Sequence, residues 1–249
     1  MRTFVIGDIH GDLDALHTLV GKLPLIAGED TIVFLGDYLD RGPKSRQVIE
    51  LVRSLDADVH CEVVCLRGNH EDAWLKVIDE GWDGFLLPPQ NGCLASMRSY
   101  TGGPVPEPNE APRRDEIPLL LRGGFLPPEH VAWMRSLPYF YENEHAIYVH
   151  AGLIEVDGVF VHPNDAKDLH ALLWTRTKRF FRDYSGKRVV VGHTVTELLP
   201  DDLSSYTPED PTDMWAGPSV VAIDTGAGKG GFLSCVELPG MVVYESRDS

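Results

Sequence analysis

TIVFLGDYLDRG, residues 31–42, decides how this chain folds. Thr31–Leu35 is an apolar run of strand length. Polarity then arrives at once, in Asp37, Asp40 and Arg41 between two glycines. Beyond the loop, Val48, Ile49, Leu51 and Val52 recur at helical spacing. The same order occurs on both sides of it. Upstream, Thr3–Ile6 runs into GDIHG and then Leu13, Leu16, Leu19 and Val20. Downstream, Val63–Leu66 runs into RGNHE and then Trp74, Leu75 and Ile78. Short apolar runs alternating with helices predict βαβ units and a buried, largely parallel sheet. Sites in such sheets lie beyond the carboxyl ends of the strands, where all three polar loops fall.

Further along, Pro and Gly become dense between residues 81 and 128 (LLPPQNG, TGGPVPEPNEAP) and the strand rhythm stops. This stretch reads as an irregular, cap-like insertion with short helices. PPEHVAWMRSLP reads as a helix started by Pro127-Pro128 and ended before Pro138. Strands resume at Ala146–Val149 before HAG, Arg188–Val191 before GHT, and Val220–Ile223 before DTGAGKGG. FLSCVEL and MVVYES form a terminal hairpin around PG. Asp165–Arg182 reads as helical and DDLSSYTPEDPTDMWAGP as a loop. Residues 1–249 are expected to form a single domain.

Lys and Arg number 22 against 38 Asp and Glu, a net charge of −16. That disfavours a nucleic-acid backbone or an anionic membrane as partner, because both recruit basic surfaces. No apolar stretch approaches the roughly 20 residues of a membrane span. The first strand begins almost at residue 1 and leaves no room for a signal peptide, so the expected location is the cytoplasm. Cys61, Cys65, Cys93 and Cys235 form no CxxC pair and read as buried thiols.

The strand-end loops gather Asp8, His10, Asp37, Asp40, Arg41, Arg67, Asn69, His70, His150 and His193. Carboxylates, imidazoles and an amide oxygen suit Mn, Fe or Zn. The two oxygens of Asp37 permit it to bridge two ions, and a pair of ions roughly 3.5–4 Å apart activates a water and clamps an oxyanion. Guanidinium groups match phosphoryl oxygens in bidentate fashion. Asp12 reads as a helix cap, and Asp224 with the glycines after it as a turn supporting the sheet.

GDIHG, GDYLDRG, RGNHE, HAG and GHT stand in this order from Gly7 to Thr194. In them the chain resembles the calcineurin-like metallophosphoesterases, in the phosphoprotein phosphatase branch that includes bacterial serine/threonine phosphatases. The resemblance implies an α/β fold, with a central β-sandwich flanked by helices. It implies two divalent metal ions, with manganese expected and iron or zinc as alternatives. Asp8 and His10 hold the first ion, Asp37 bridges, and Asn69, His150 and His193 complete the second. A water activated between the ions attacks phosphorus in line. His70, oriented by Asp40, protonates the leaving oxygen. Arg41 and Arg67 bind phosphate oxygens, and Arg176, in LLWTR, is the candidate for a third arginine.

The expected activity is a serine/threonine protein phosphatase, favoured by Asp40 in DRG and Glu71 in GNHE. A symmetrical bis(5′-nucleosyl)-tetraphosphatase is the alternative, with a metallophosphodiesterase or an inactive phosphate-binding scaffold behind it. The substrate is accordingly a phosphorylated protein or a nucleotide.

Overall fold

The computed structural model describes residues 1–86, 88–205, 210 and 212–247, the side chain of Asp56 excepted. The three sequence repeats become β1 (Thr3–Ile6), α1 (Leu13–Lys22), β2 (Thr31–Phe34), α2 (Ser45–Val59), β3 (Glu62–Cys65) and α3 (Asn69–Glu80). The insertion supplies α4 (Cys93–Thr101) and α5 (Ile117–Arg122), and α6 (Pro128–Ser136) follows. The chain then forms β4 (Phe140–Glu142), β5 (Ile147–Val149), the small pair β6 (Glu155–Val156) and β7 (Val159–Phe160), α7 (Ala171–Trp174), α8 (Lys178–Asp183) and β8 (Val189–Val191). It closes with β9 (Trp215–Ala216), β10 (Val220–Ala222), β11 (Ser234–Leu238) and β12 (Val242–Glu245).

Two five-stranded sheets result, in the orders β12-β11-β1-β2-β3 and β4-β5-β8-β10-β9. Alternation along each strand divides the apolar residues between two faces. Val5, Val33, Tyr148, Val190, Val221 and Val236 face inward and form the core between the sheets. Phe4, Ile6, Ile32 and Phe34 face outward, in one core with residues of α1, α2 and α3. On the other sheet Val149, Val189 and Val191 pack with Leu172, Phe180 and Phe181 of α7 and α8. The expected sandwich between helices is therefore present. Burial on both faces explains why these strands read as continuous apolar runs rather than alternating ones.

Three expectations need correction. The sheets are mixed, not largely parallel: β1–β2–β3 and β5–β8–β10 are parallel, but β11, β12, β4 and β9 run antiparallel along their edges. Asp165–Arg182 is not one helix, because Thr175 and Thr177 are extended (ψ 136° and 122°) and leave Arg176 in the break between α7 and α8. The presumed loop 201–218 contributes β9, which pairs with β10, although residues 206–209 and 211 lie outside the description. As expected, the carboxylate of Asp12 caps α1 by accepting from the backbone N–H of Ala15 at 3.0 Å. Among the described residues the four cysteines form no disulfide; Cys65 is half-buried and the others are buried. Among the described residues no helix is long and apolar enough to cross a membrane.

Candidate metal centre

The carboxyl ends of both sheets meet at one point. Asp8 leaves β1, and both its carboxylate oxygens accept from the backbone N–H of His193, beyond β8, at 3.1 and 3.0 Å. Gly192 makes this approach possible: a Cβ there would stand 2.0 Å from Asp8 Oδ1. Asp37 leaves β2, and its Oδ1 accepts from the backbone N–H of His70 at the start of α3, 3.0 Å away. Here Gly68 is required, since a Cβ would fall 2.1 Å from Asp37 Oδ1. His10, Asp37, Asp40, Arg41 and His193 all have positive φ, between 46° and 73°. Non-glycine residues adopt that region at a cost of order 1–3 kcal/mol each, and tend to do so at functional sites.

Asp8, His10, Asp37, Asn69, His70, His150 and His193 are all buried. Two clusters share Asp37: one contains His10 and His70, the other His150 and His193. In the first, His10 Nε2 lies 3.3 Å from Asp37 Oδ2 and 3.8 Å from Asp8 Oδ2. In the second, Asn69 Oδ1 lies 2.9 Å from His150 Nε2 and 2.7 Å from His193 Nδ1. His150 Nε2 is also 3.5 Å from Asp37 Oδ1.

The tautomers follow from backbone partners. His10 Nδ1–H donates to the carbonyl of Leu39 at 3.0 Å, and His150 Nδ1–H to that of Leu35 at 2.9 Å. A carbonyl only accepts, so in the neutral rings Nε2 is left as a bare lone pair. Those lone pairs point at carboxylate and amide oxygens, which also only accept. Burial lowers the pKa of His10, His150 and His193, so the rings resist protonating to relieve this crowding. Acceptors thus converge there, with Arg41 the donor that reaches His10 Nε2, and such a set of oxygens and imidazole nitrogens fits divalent cations. His193 Nε2 is buried and has no hydrogen-bond partner among the described residues.

The electrostatics agree. Burial raises the Asp8 carboxyl well above its usual value, Asp224 and Asp37 push the same way, and Lys229 is the chief opposing charge. For Asp37 burial is outweighed by His150, His70, His10 and Arg41, which hold its carboxyl well below the usual range.

Beside the clusters, His70 Nδ1–H donates to Asp40 Oδ2 at 2.7 Å. Asp40 is itself fixed: Trp74 Nε1–H donates to both its carboxylate oxygens at 3.0 Å, and its backbone N–H donates to Ser96 Oγ at 2.7 Å and Ser45 Oγ at 3.1 Å. Glu71 accepts from the backbone N–H groups of Asp37, Tyr38 and Gly68, each at 2.9 Å, and so ties the second loop to the third. Burial first, then Asp37, pushes its carboxyl up to about 8. Sequence reading missed Trp74, Ser45 and Ser96. Trp74 stands four residues after His70, a helical-face spacing that was available as a signal.

The arginines divide. Arg41 places its guanidinium against His10 Nε2. Arg176 NH1 donates to the carbonyl of His193 at 3.2 Å and to Thr194 Oγ1 at 3.4 Å. Arg67 is engaged elsewhere: NH1 donates to Tyr139 Oη at 2.9 Å and NH2 to the carbonyl of Arg135 at 2.7 Å. Its Nε is buried and has no hydrogen-bond partner among the described residues.

A family model described as calcineurin-like phosphoesterase matches residues 1–197. The symmetrical bis(5′-nucleosyl)-tetraphosphatase of Shigella dysenteriae is 28% identical over 185 residues, 74% of this chain and 54% of that protein. The chain thus spans about half the length of the curated relatives it matches. Among solved structures, a metallophosphoesterase from Sphaerobacter thermophilus aligns with a TM-score of 0.55 at 18% identity, over 100% of this chain and 89% of the other. A cold-active protein-tyrosine phosphatase of a Shewanella species aligns at 0.55 and 19%, over 94% and 75%. At these identities the likeness to the solved structures is one of fold.

Proposed function

The chain belongs to the calcineurin-like phosphoesterase family, and from that premise we propose that it hydrolyses phosphate monoesters, with phosphoserine or phosphothreonine in proteins as substrate. One observation carries the choice of monoester: the braced His70–Asp40 pair, 2.7 Å apart beside the Asp37 cluster. An alkoxide is a poor leaving group and gains roughly 10²–10⁴-fold from a positioned acid. A phosphate leaving from an anhydride needs that help far less.

In this reading Asp8, His10 and Asp37 hold one divalent cation, and Asp37, Asn69, His150 and His193 hold a second. Manganese is proposed, and iron or zinc would suit the same donors. When bound, such cations would act as Lewis acids toward a phosphoryl oxygen and would lower the pKa of a coordinated water toward about 7. His70 Nε2 delivers a proton to the leaving oxygen, while Asp40, held by Trp74, Ser45 and Ser96, fixes the orientation and tautomer of the ring. Arg41 and Arg176 grip the non-bridging oxygens. Arg67 holds the loop before α3 against Tyr139 and Arg135, and the second N–H on each terminal nitrogen is offered to a phosphoryl oxygen.

The second reading is hydrolysis of a dinucleoside tetraphosphate, which the 28% identity to the Shigella tetraphosphatase supports. The test supplies Mn²⁺ and compares phosphate release from a phosphoserine peptide, a phosphotyrosine peptide, diadenosine tetraphosphate and p-nitrophenyl phosphate. The phosphoserine peptide should be the best of the four. A dominant rate on diadenosine tetraphosphate would replace the first reading with the second, and no metal-dependent release from any of them would end both.

A further inference from the structure

Beside the centre, a cavity of about 480 Å³ opens between the insertion and the loop after β10. Ligand pockets commonly run roughly 300–1,000 Å³. Pro88, Pro89, Pro106 and Pro108 line it with Leu94, and so do two cations from different loops, Arg41 and Lys229. Arg41 reaches the centre through His10. The loop of Lys229 packs on the same residue, since a Cβ on Gly228 would stand 2.4 Å from the His10 carbonyl oxygen.

Lys229 is held lightly. Its ammonium has three N–H donors and, among the described residues, makes one hydrogen bond, of 3.2 Å to Asp224 Oδ2. Glu107 and Glu110 also line the cavity, but Glu110 is spoken for by Arg98 at 2.5 Å. Among the described residues lining the cavity, Glu107 is the one carboxylate not paired with an arginine, against two cations, in a chain of net charge −16. A second cavity, of about 460 Å³, lies across Lys229 and includes Arg247. That guanidinium is held by Asp210, Asp213 and Glu245, so it has little left to offer a ligand.

We propose that Lys229 is a specificity residue: with Arg41 it binds a second anionic group on the substrate, next to the phosphate being cleaved, while the proline-lined cavity takes the chain beyond. The inference rests on the phosphoester-hydrolase reading and narrows it to substrates whose scissile phosphate has an acidic neighbour. That neighbour is an acidic side chain in a phosphopeptide or the next phosphate in a nucleotide.

The experiment measures kcat/KM with Mn²⁺ on four substrates: a phosphoserine peptide followed by two aspartates, the same peptide with asparagines, diadenosine tetraphosphate, and p-nitrophenyl phosphate. Wild type, Lys229→Met and Lys229→Arg are compared, with thermal melts to check folding. Wild type should favour the aspartate peptide over the asparagine peptide, or diadenosine tetraphosphate over p-nitrophenyl phosphate, and the arm that shows it names the source. In Lys229→Met that ratio should fall by about tenfold or more, as for loss of a charge-assisted hydrogen bond, and Lys229→Arg should restore most of it. A flat ratio in wild type, or an equal fall on every substrate in Lys229→Met, overturns the proposal while leaving the hydrolase reading intact. A wild type that cleaves none of the four ends both.

Discussion

At the scale of single residues, the placement of His70 and Asp37 yields the sharpest expectations. His70→Asn should retain the metals but slow turnover by at least ~10², because its partner Asp40 remains while the proton donor is gone. Steady-state kinetics with metal analysis reads this directly, and unchanged turnover would remove His70 from the acid role. Asp37→Asn should weaken both cations together, since Asp37 is the residue common to the two clusters. Two ions per chain after dialysis would contradict bridging. Glu71→Gln should destabilise the fold by about 1–3 kcal/mol in urea titration, because an amide cannot satisfy three backbone donors as the carboxyl group does. The metal-ligating residue types were legible in sequence because each follows a strand within a polar loop. The bracing of Asp40 was not: Ser45 and Ser96 are 51 positions apart, and only folding brings their hydroxyls within 3.0 Å.

Among the elements, the insertion carries a stretch, residues 102–116, in which no apolar side chain is buried. Its segment from Gly102 to Glu116 is pinned by Arg98 of α4, whose buried guanidinium donates to Glu116 at 2.9 Å and to Glu110 at 3.0 and 2.5 Å. The hydrogen bond from Arg98 holds the Glu110 carboxyl down at about 2. A carboxyl group depressed on folding stabilises above its unfolded pKa, about 4.3, and that contribution fades as pH falls toward 2. Pepsin digestion at stepped pH should therefore cut first within residues 102–116 once pH drops below about 4.3. First cuts elsewhere would mean that other contacts dominate. Sequence marked this stretch as irregular because proline and glycine crowd it, but an ion pair 12 residues apart has no periodic signature. The broken helix at Thr175 escaped notice for a related reason: its composition is helical, and burial of Leu172, Phe180 and Phe181 against the sheet sets the two pieces apart.

For the molecule as a whole, the candidate ligands come from both sheets: Asp8, His10, Asp37 and Asn69 from one, His150 and His193 from the other. Cations bound there would fasten one layer of the sandwich to the other. A ligand at 100 times its Kd adds about 2.7 kcal/mol, so saturating Mn²⁺ should raise the melting temperature by roughly 5–10 °C over the EDTA-treated protein for a chain of this size. No shift by calorimetry would argue against occupancy of the centre. The overall architecture was readable from repeated strand-loop-helix units, whereas the antiparallel edges were not, because pairing direction at an edge is set by where the chain returns. Finally, the five site residues with left-handed backbones have an evolutionary corollary. Glycine would be more comfortable at each of those positions, so a descendant lineage freed from its chemical task should drift toward glycine there, gaining heat tolerance as it loses its trade. Arg41→Gly tests the first step, and should melt higher than its parent while turning over more slowly.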